Sequence, residues 1–177
     1  LPDLTNEKNA LIVIHLMGCH GSYADRYPEE WKHYSGKSDV IDKYDNAVRY
    51  NDYVLQQIYE KLKENSRFKG FIYFSDHGED VEHNYGHEAS KYTATMSHIP
   101  LFMAFSPDFQ AERVQMVETL RSHENSYWTN DLLYDVMTDI LGIQGVPGTD
   151  LNWNLASSQY SMTKDTLRTL HGKQALQ

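Results

Sequence analysis

The sequence is poor in the features that mark disulfide-bonded and membrane-spanning proteins. Its 177 residues include a single cysteine, Cys19, which cannot form an internal disulfide or a cysteine-only zinc site. The longest apolar runs, around residues 11–17 and 99–105, fall far short of the ~18 residues that span a bilayer as a helix. A disulfide scaffold and a membrane-spanning helix are therefore excluded for these residues.

Basic residues are also scarce, with 16 Lys and Arg against 25 Asp and Glu and a formal net charge of -9. Because phosphate backbones are bound by basic faces, this balance argues against nucleic acid as a partner. What is present is an apolar content of 40% and an aromatic content of 12%, which is enough for a packed core. We predict one domain over residues 1–177, with the mostly polar segment 158–177 loosely ordered.

Three short apolar runs predict strands. They are residues 11–16 (LIVIHL), 71–74 (FIYF) and 99–105 (IPLFMAF). Runs of bulky β-formers without alternation are typical of strands that are buried on both faces. We therefore expect three buried strands in one sheet.

Helical periodicity separates and follows these strands. Over residues 39–63 apolar side chains recur at three- and four-residue spacings, which predicts an amphipathic helix capped by Ser38 or Asp39. Two further helices are predicted over 110–120 and 130–141. The strand at residues 11–16, this long helix and the strand that begins at residue 71 should form a right-handed βαβ unit with parallel strands. The predicted fold class is α/β with a mainly parallel sheet.

The chemically distinctive stretch is the end of the second strand, where Asp76 and His77 precede Gly78. On an extended strand these two side chains point to opposite faces, but a turn over glycine lets both converge on one metal ion or anion. Open α/β sheets bind their ligands at this carboxyl edge. We therefore predict a metal or anion site here.

Two ligands are too few for zinc, which takes four in structural sites and three plus an open position in catalytic ones. Residues outside this chain could complete the shell. The candidates within the chain are His20, His87, His98 and Cys19. Of the other histidines, His15 is interpreted as structural and His83, in its acidic loop, as solvated, whereas the rest carry no positional signal.

Several motifs resemble one known superfamily. Residues 74–79 (FSDHGE) resemble the signature of the alkaline phosphatase and sulfatase superfamily, and residues 15–23 (HLMGCHGSY), followed by RYP at 26–28, are similar to its phosphoethanolamine transferase branch. Residues 44–53 (YDNAVRYNDY) and 97–100 (SHIP) extend the resemblance, which runs from about residue 11 to 143. It is closest to members that modify lipopolysaccharide core sugars. The resemblance implies the C-terminal half of an alkaline-phosphatase-like α/β/α sandwich.

The resemblance also implies roles for individual residues. Asp76 and His77 would be ligands of a catalytic zinc. His20, His87 and His98 would bind the transferred phosphate group, with His20 alternatively binding a second metal ion. The family's acidic zinc ligand and its threonine nucleophile lie upstream, so neither is in this chain. One or two zinc ions, or another divalent metal, are implied as cofactors.

The activity implied for the parent protein is zinc-dependent transfer of phosphoethanolamine from phosphatidylethanolamine to lipopolysaccharide core or lipid A, through a phospho-threonine intermediate. The implied location is the periplasmic domain of an inner-membrane-anchored bacterial protein. The missing N-terminal half of the domain would be an obligatory partner, so the chain alone should be inactive and could form a homodimer.

Two alternatives use the same residues. One is a sulfatase or phosphodiesterase hydrolase, in which water is the acceptor at the same metal site. The other is a non-catalytic metal-binding domain.

Overall fold

The computed structural model describes residues 8–169 and 172–175, and the chain divides into two compact units, Leu1–Ile58 and Tyr59–Gln177. That residues 1–177 form one domain stays a prediction. Within the described ranges, no helix combines the length and the apolar content needed to cross a bilayer. The elements are α1 (Asp39–Lys63), β1 (Gly70–Phe74), β2 (Leu101–Phe105), α2 (Pro107–Glu112), α3 (Val114–Ser122), α4 (Leu133–Ile140), β3 (Arg168–Thr169) and β4 (Gln174–Ala175), with 3-10 turns at Tyr23–Arg26, Glu29–Trp31, Ala89–Lys91, Ala94–Ser97 and Asn130–Leu132.

Helix α1 has the bounds that its periodicity predicts. Ser38 caps it, because its side-chain oxygen accepts a hydrogen bond from the backbone N–H of Ile41 at 3.3 Å. Within the N-terminal unit the helix buries Asn46 completely. The Asn46 amide oxygen accepts from the backbone N–H groups of His33 and Tyr34, at 2.7 and 2.9 Å, so this one side chain fixes the preceding loop on the helix.

The predicted first strand does not form. Residues 10–17 adopt no strand, and Leu11 and Val13 are 60% and 83% exposed. The physical reason is that a strand is completed by the backbone hydrogen bonds of a neighbour, and the described part of the chain supplies no neighbour to this segment. The predicted parallel βαβ unit is therefore not found.

The other two predicted strands are confirmed as β1 and β2, but they pair antiparallel, with Gly70 opposite Phe105 and Phe74 opposite Leu101. One face of this sheet packs on the core through residues such as Ile72 and Met103. The other face carries the rings of Phe71, Tyr73 and Phe102, and Phe102 is 43% exposed, so the strands are not buried on both faces. The mixed α/β class is confirmed, whereas the parallel pairing is not.

The core of the C-terminal unit lies against β1 and β2. Its buried members are Phe109, Val117, Val136, Ile140, Leu155 and Ala156. The single helix predicted over 110–120 is two helices, since Arg113 leaves helical geometry at φ −128° and ψ 40° between α2 and α3. Helix α4 stops before Gly142, as predicted, and the glycine adopts a left-handed φ of 67°.

The C-terminal segment contains the short β3–β4 hairpin and buries Leu167. The loose order predicted for 158–177 stays a prediction, and residues 170, 171, 176 and 177 lie outside the described residues.

Candidate functional site

The loop after β1 is held by backbone contacts from sequence-distant segments. Ser75 N–H donates to the carbonyl of Pro100 at 3.3 Å, and Gly78 N–H donates to that of Met96 at 2.8 Å. A methyl group on Gly78 would overlap the carbonyl oxygen of Thr95. Glycine is therefore required here by close backbone approach, and the loop has little room to shift.

Three side chains of this loop and its continuation form a compact cluster of His77, Glu79 and His87. Their potential ligand atoms lie within 4.8 Å of one another. The two imidazole rings stack with centroids 4.2 Å apart, and Nδ1 of His87 lies 2.7 Å from Oε1 of Glu79. Among the described residues, this is the one group of three or more such side chains that could hold a metal ion.

Glu79 is 8% exposed, although it carries a carboxylate. A buried carboxylate is costly unless hydrogen bonds or opposite charge compensate it. The distance to His87 is that of a charge-assisted hydrogen bond, in which Nδ1–H donates to the carboxylate. This bond fixes the imidazole so that Nε2, the other ring nitrogen, is directed away from Glu79.

Asp76 and His77 form a second group of potential metal ligands, next to the cluster. Nδ1 of His77 lies 3.0 Å from the carbonyl of Gly78, which directs Nε2 outward. Nε2 is then 3.8 Å from Oδ1 of Asp76, whose side chain is 80% exposed. Two ligand atoms of a tetrahedral zinc lie ~3.3 Å apart, so only a small rotation of Asp76 would let both bind one ion. A carboxylate with imidazoles is a donor set that suits zinc.

The predicted ligand pair Asp76 and His77 is thus adjacent in space, and His87 stacks on the same imidazole. Sequence reasoning missed Glu79. The signal was its place two residues after His77, across the glycine that turns the chain. The site assignments themselves stay predictions.

His98 lies at the other side of this loop, but its side chain is exposed. Only its backbone is close, since its carbonyl oxygen would lie 3.0 Å from a methyl group on Gly78. The phosphate-binding role of His98 stays a prediction.

In the N-terminal unit, His20 occupies a turn between Gly18 and Ser22, both at positive φ. Arg26 stabilises this turn, since its Nε donates to the carbonyl of His20 at 3.0 Å and its Nη2 to that of Gly21 at 3.0 Å. The imidazole is exposed, and its predicted phosphate-binding role stays a prediction. A pocket of about 220 Å³ opens beside the turn.

The loop that carries His87 is stabilised by Asp80, which is 2% exposed. Its carboxylate accepts hydrogen bonds from the Thr93 hydroxyl at 2.6 Å and from both the backbone and the ring of His83 at 3.0 and 2.9 Å. The Thr93 hydroxyl, followed by His83, lowers the pKa of Asp80 below its ordinary 3.8. His83 is solvent-exposed, as predicted, and it is also a hydrogen-bond partner of Asp80.

This lowered pKa predicts an acid-sensitive stability. The unfolded chain takes up the Asp80 proton at a higher pH than the folded chain, so the stabilisation is present at neutral pH and is lost as pH falls from about 4 through the folded pKa. We expect Thr93→Val to lower the urea midpoint at pH 7, and the difference from wild type to shrink towards pH 3. Thr119→Val is the control, because the hydroxyl of Thr119 bonds a neutral carbonyl. Equal pH dependence of both variants would contradict this account.

Comparison with known proteins shows the family to which the sequence belongs. The sequence pattern of the sulfatase family matches residues 3–138 of the chain. The chain is similar to the phosphoethanolamine transferase EptA of Salmonella typhimurium, with 30% identity over 77% of this chain and 28% of the relative. It is also similar to the phosphoethanolamine transferase EptC of Escherichia coli K12, with 27% identity over 94% of this chain and 31% of the relative. EptA of Helicobacter pylori is 34% identical over 96 residues, 46% of this chain and 18% of the relative.

No solved structure shows significant similarity to the chain. The chain spans less than a third of the length of the EptA and EptC relatives. The match to the family nevertheless covers most of the chain, including the loop that follows β1. The chain belongs to the sulfatase family.

Proposed function

We propose that this chain is the C-terminal part of a phosphoethanolamine transferase that acts on a cell-envelope glycolipid. The observation that carries the proposal is the cluster of His77, Glu79 and His87 after β1, with Asp76 beside His77, in a chain of the sulfatase family. Similarity to proteins named phosphoethanolamine transferase supports this reaction over sulfate ester hydrolysis.

The proposed cofactor is zinc, held by Oδ1 of Asp76 and Nε2 of His77 together with ligands from the upstream part of the protein. When bound, zinc would polarise a phosphoryl oxygen and stabilise the oxyanion of a nucleophile. This chain's own part is to orient the two ligands. The backbone contacts of the loop fix their main chain, and the bond from His77 Nδ1 to the Gly78 carbonyl fixes the ring.

The proposed reaction has two displacements at phosphorus. The oxygen of an upstream threonine attacks phosphatidylethanolamine and diacylglycerol leaves, after which a hydroxyl of the acceptor displaces the threonine. His20, His87 and His98 are proposed to neutralise the phosphate oxygens. For His87 the supporting observation is that its ring stacks on His77 and is oriented by buried Glu79.

The proposed setting is the periplasmic face of a bacterial inner membrane, with lipopolysaccharide core or lipid A as acceptor. The proposed structural partner is the N-terminal half of the same domain. Exposed apolar side chains such as Leu11 and Val13 support the view that another segment covers this surface, or a second copy in the isolated chain.

The test is to incubate the purified full-length protein with phosphatidylethanolamine vesicles and lipopolysaccharide. We expect mass spectrometry to show phosphoethanolamine on the glycolipid and on one threonine, and elemental analysis to show zinc. Release of free phosphoethanolamine without a modified acceptor would indicate the hydrolase instead. Bound metal with neither product would indicate a non-catalytic metal-binding domain.

A further inference from the structure

Asn130 contacts the end of β1 from a position more than fifty residues away in sequence. Its side-chain Nδ2 donates to the carbonyl oxygens of both Ser75 and Asp76, each at 3.0 Å. These are the two peptide units that set the direction of the chain as it leaves β1 and presents Asp76 and His77. No motif in the sequence indicates this contact.

The chemistry of the amide explains why asparagine suits this position. Its NH₂ group carries two N–H donors, one for each carbonyl. Its oxygen, Oδ1, is buried and has no hydrogen-bond partner in the described part of the chain, which costs free energy. The side chain therefore contributes through its donors, at the expense of an unsatisfied acceptor.

Asn130 is itself firmly placed. It begins the 3-10 turn Asn130–Leu132 that leads into α4, and Leu132 N–H donates to the carbonyl of Thr129 at 3.0 Å. Leu132 is buried, and Val136 of α4 is fully buried in the core. The two hydrogen bonds therefore connect the loop after β1 to the turn that leads into the packed helix α4.

We propose that Asn130 is a positioning residue for the site, which holds the Ser75–Asp76 backbone so that Asp76 and His77 converge. This inference rests on the proposed function. Asn130 does not touch the reacting atoms, and it acts through the main chain of the two ligands. Partners that orient metal ligands typically contribute about 10- to 100-fold to metal affinity or activity.

The decisive variant is Asn130→Asp, which keeps the size of the side chain but replaces both donors by acceptors facing two carbonyl oxygens. In the full-length protein we expect about 10- to 100-fold weaker zinc binding and a fall in kcat of similar size, with KM for phosphatidylethanolamine little changed. When cobalt replaces zinc, the visible absorption spectrum of the variant should differ from that of the wild-type protein. Asn130→Ala, which adds no charge, is the second variant if the aspartate variant does not fold.

The matched control is Asn154→Asp, which places a carboxylate beside Asp139 at a buried asparagine of the same unit. We expect this control to lose thermal stability while its zinc affinity and cobalt spectrum stay at wild-type values. The positioning role is overturned if Asn130 variants bind zinc like wild type, or lose it only to the extent that Asn154→Asp does. Absence of zinc and transfer in the wild-type protein would instead overturn the proposed function.

Discussion

Replacing His77 with alanine is expected to lower phosphoethanolamine transfer by about a thousandfold. The reason is that a metal ion acting as a Lewis acid contributes several kcal/mol to a phosphoryl transfer, and each ~1.4 kcal/mol is tenfold in rate. Asp76 alone would be left from this loop to hold the ion. The measurement is the transfer assay on the full-length protein, together with zinc content after dialysis, which should fall by about tenfold or more.

The fold should survive this change, because His77 is partly exposed and lies outside the packed core. Circular dichroism and the thermal midpoint of the variant should therefore match wild type. His33→Ala is the control, since His33 is an exposed residue of the loop before α1. Wild-type transfer and zinc content in the His77 variant would remove the catalytic assignment of this loop.

The second large effect is expected from Gly78→Ala. The new methyl group would overlap the backbone oxygen of Thr95 and come within 3.0 Å of that of His98, and backbone atoms cannot rotate away as a side chain can. We expect the loop to be displaced, at a cost of about 3 kcal/mol in unfolding free energy. Displacement of the ligands by about 1 Å should lower transfer by about a hundredfold. Urea unfolding and the transfer assay measure the two effects separately.

Gly36→Ala is the matched control for this prediction. A methyl group on Gly36 would meet no atom within 4 Å, and its φ lies outside the left-handed region. We expect stability equal to wild type or higher by about 0.5 kcal/mol, because alanine restricts the unfolded chain. If both glycine variants behave alike, close packing at Gly78 is not what fixes the loop.

Local patterns determined much of the secondary structure. Helix α1 follows from one periodic apolar face and a serine cap, both of which act within a few residues. The strands β1 and β2 follow from short runs of bulky apolar and aromatic residues. Asp76 and His77 could be singled out because a strand end followed by glycine is also a local signal.

The pairing of the strands could not be predicted from such local patterns. The same apolar composition predicts a strand at residues 11–16 and at β1. Among the described residues only β1 of these two has a paired strand, and that strand runs antiparallel. A strand needs backbone partners that the sequence around it does not specify.

The amino-acid sequence by itself therefore determined helix α1, the positions of β1 and β2 and the family, and it singled out Asp76 and His77 as a predicted ligand pair. Only the tertiary structure decided that Glu79 is buried against His87, that Asp80 stabilises their loop, and that Asn130 reaches back to Ser75 and Asp76. These contacts join residues eight to 55 positions apart, through bonds whose geometry exists only after the chain has packed. Periodicity and spacing describe neighbours along the chain, whereas the site is made of neighbours in space.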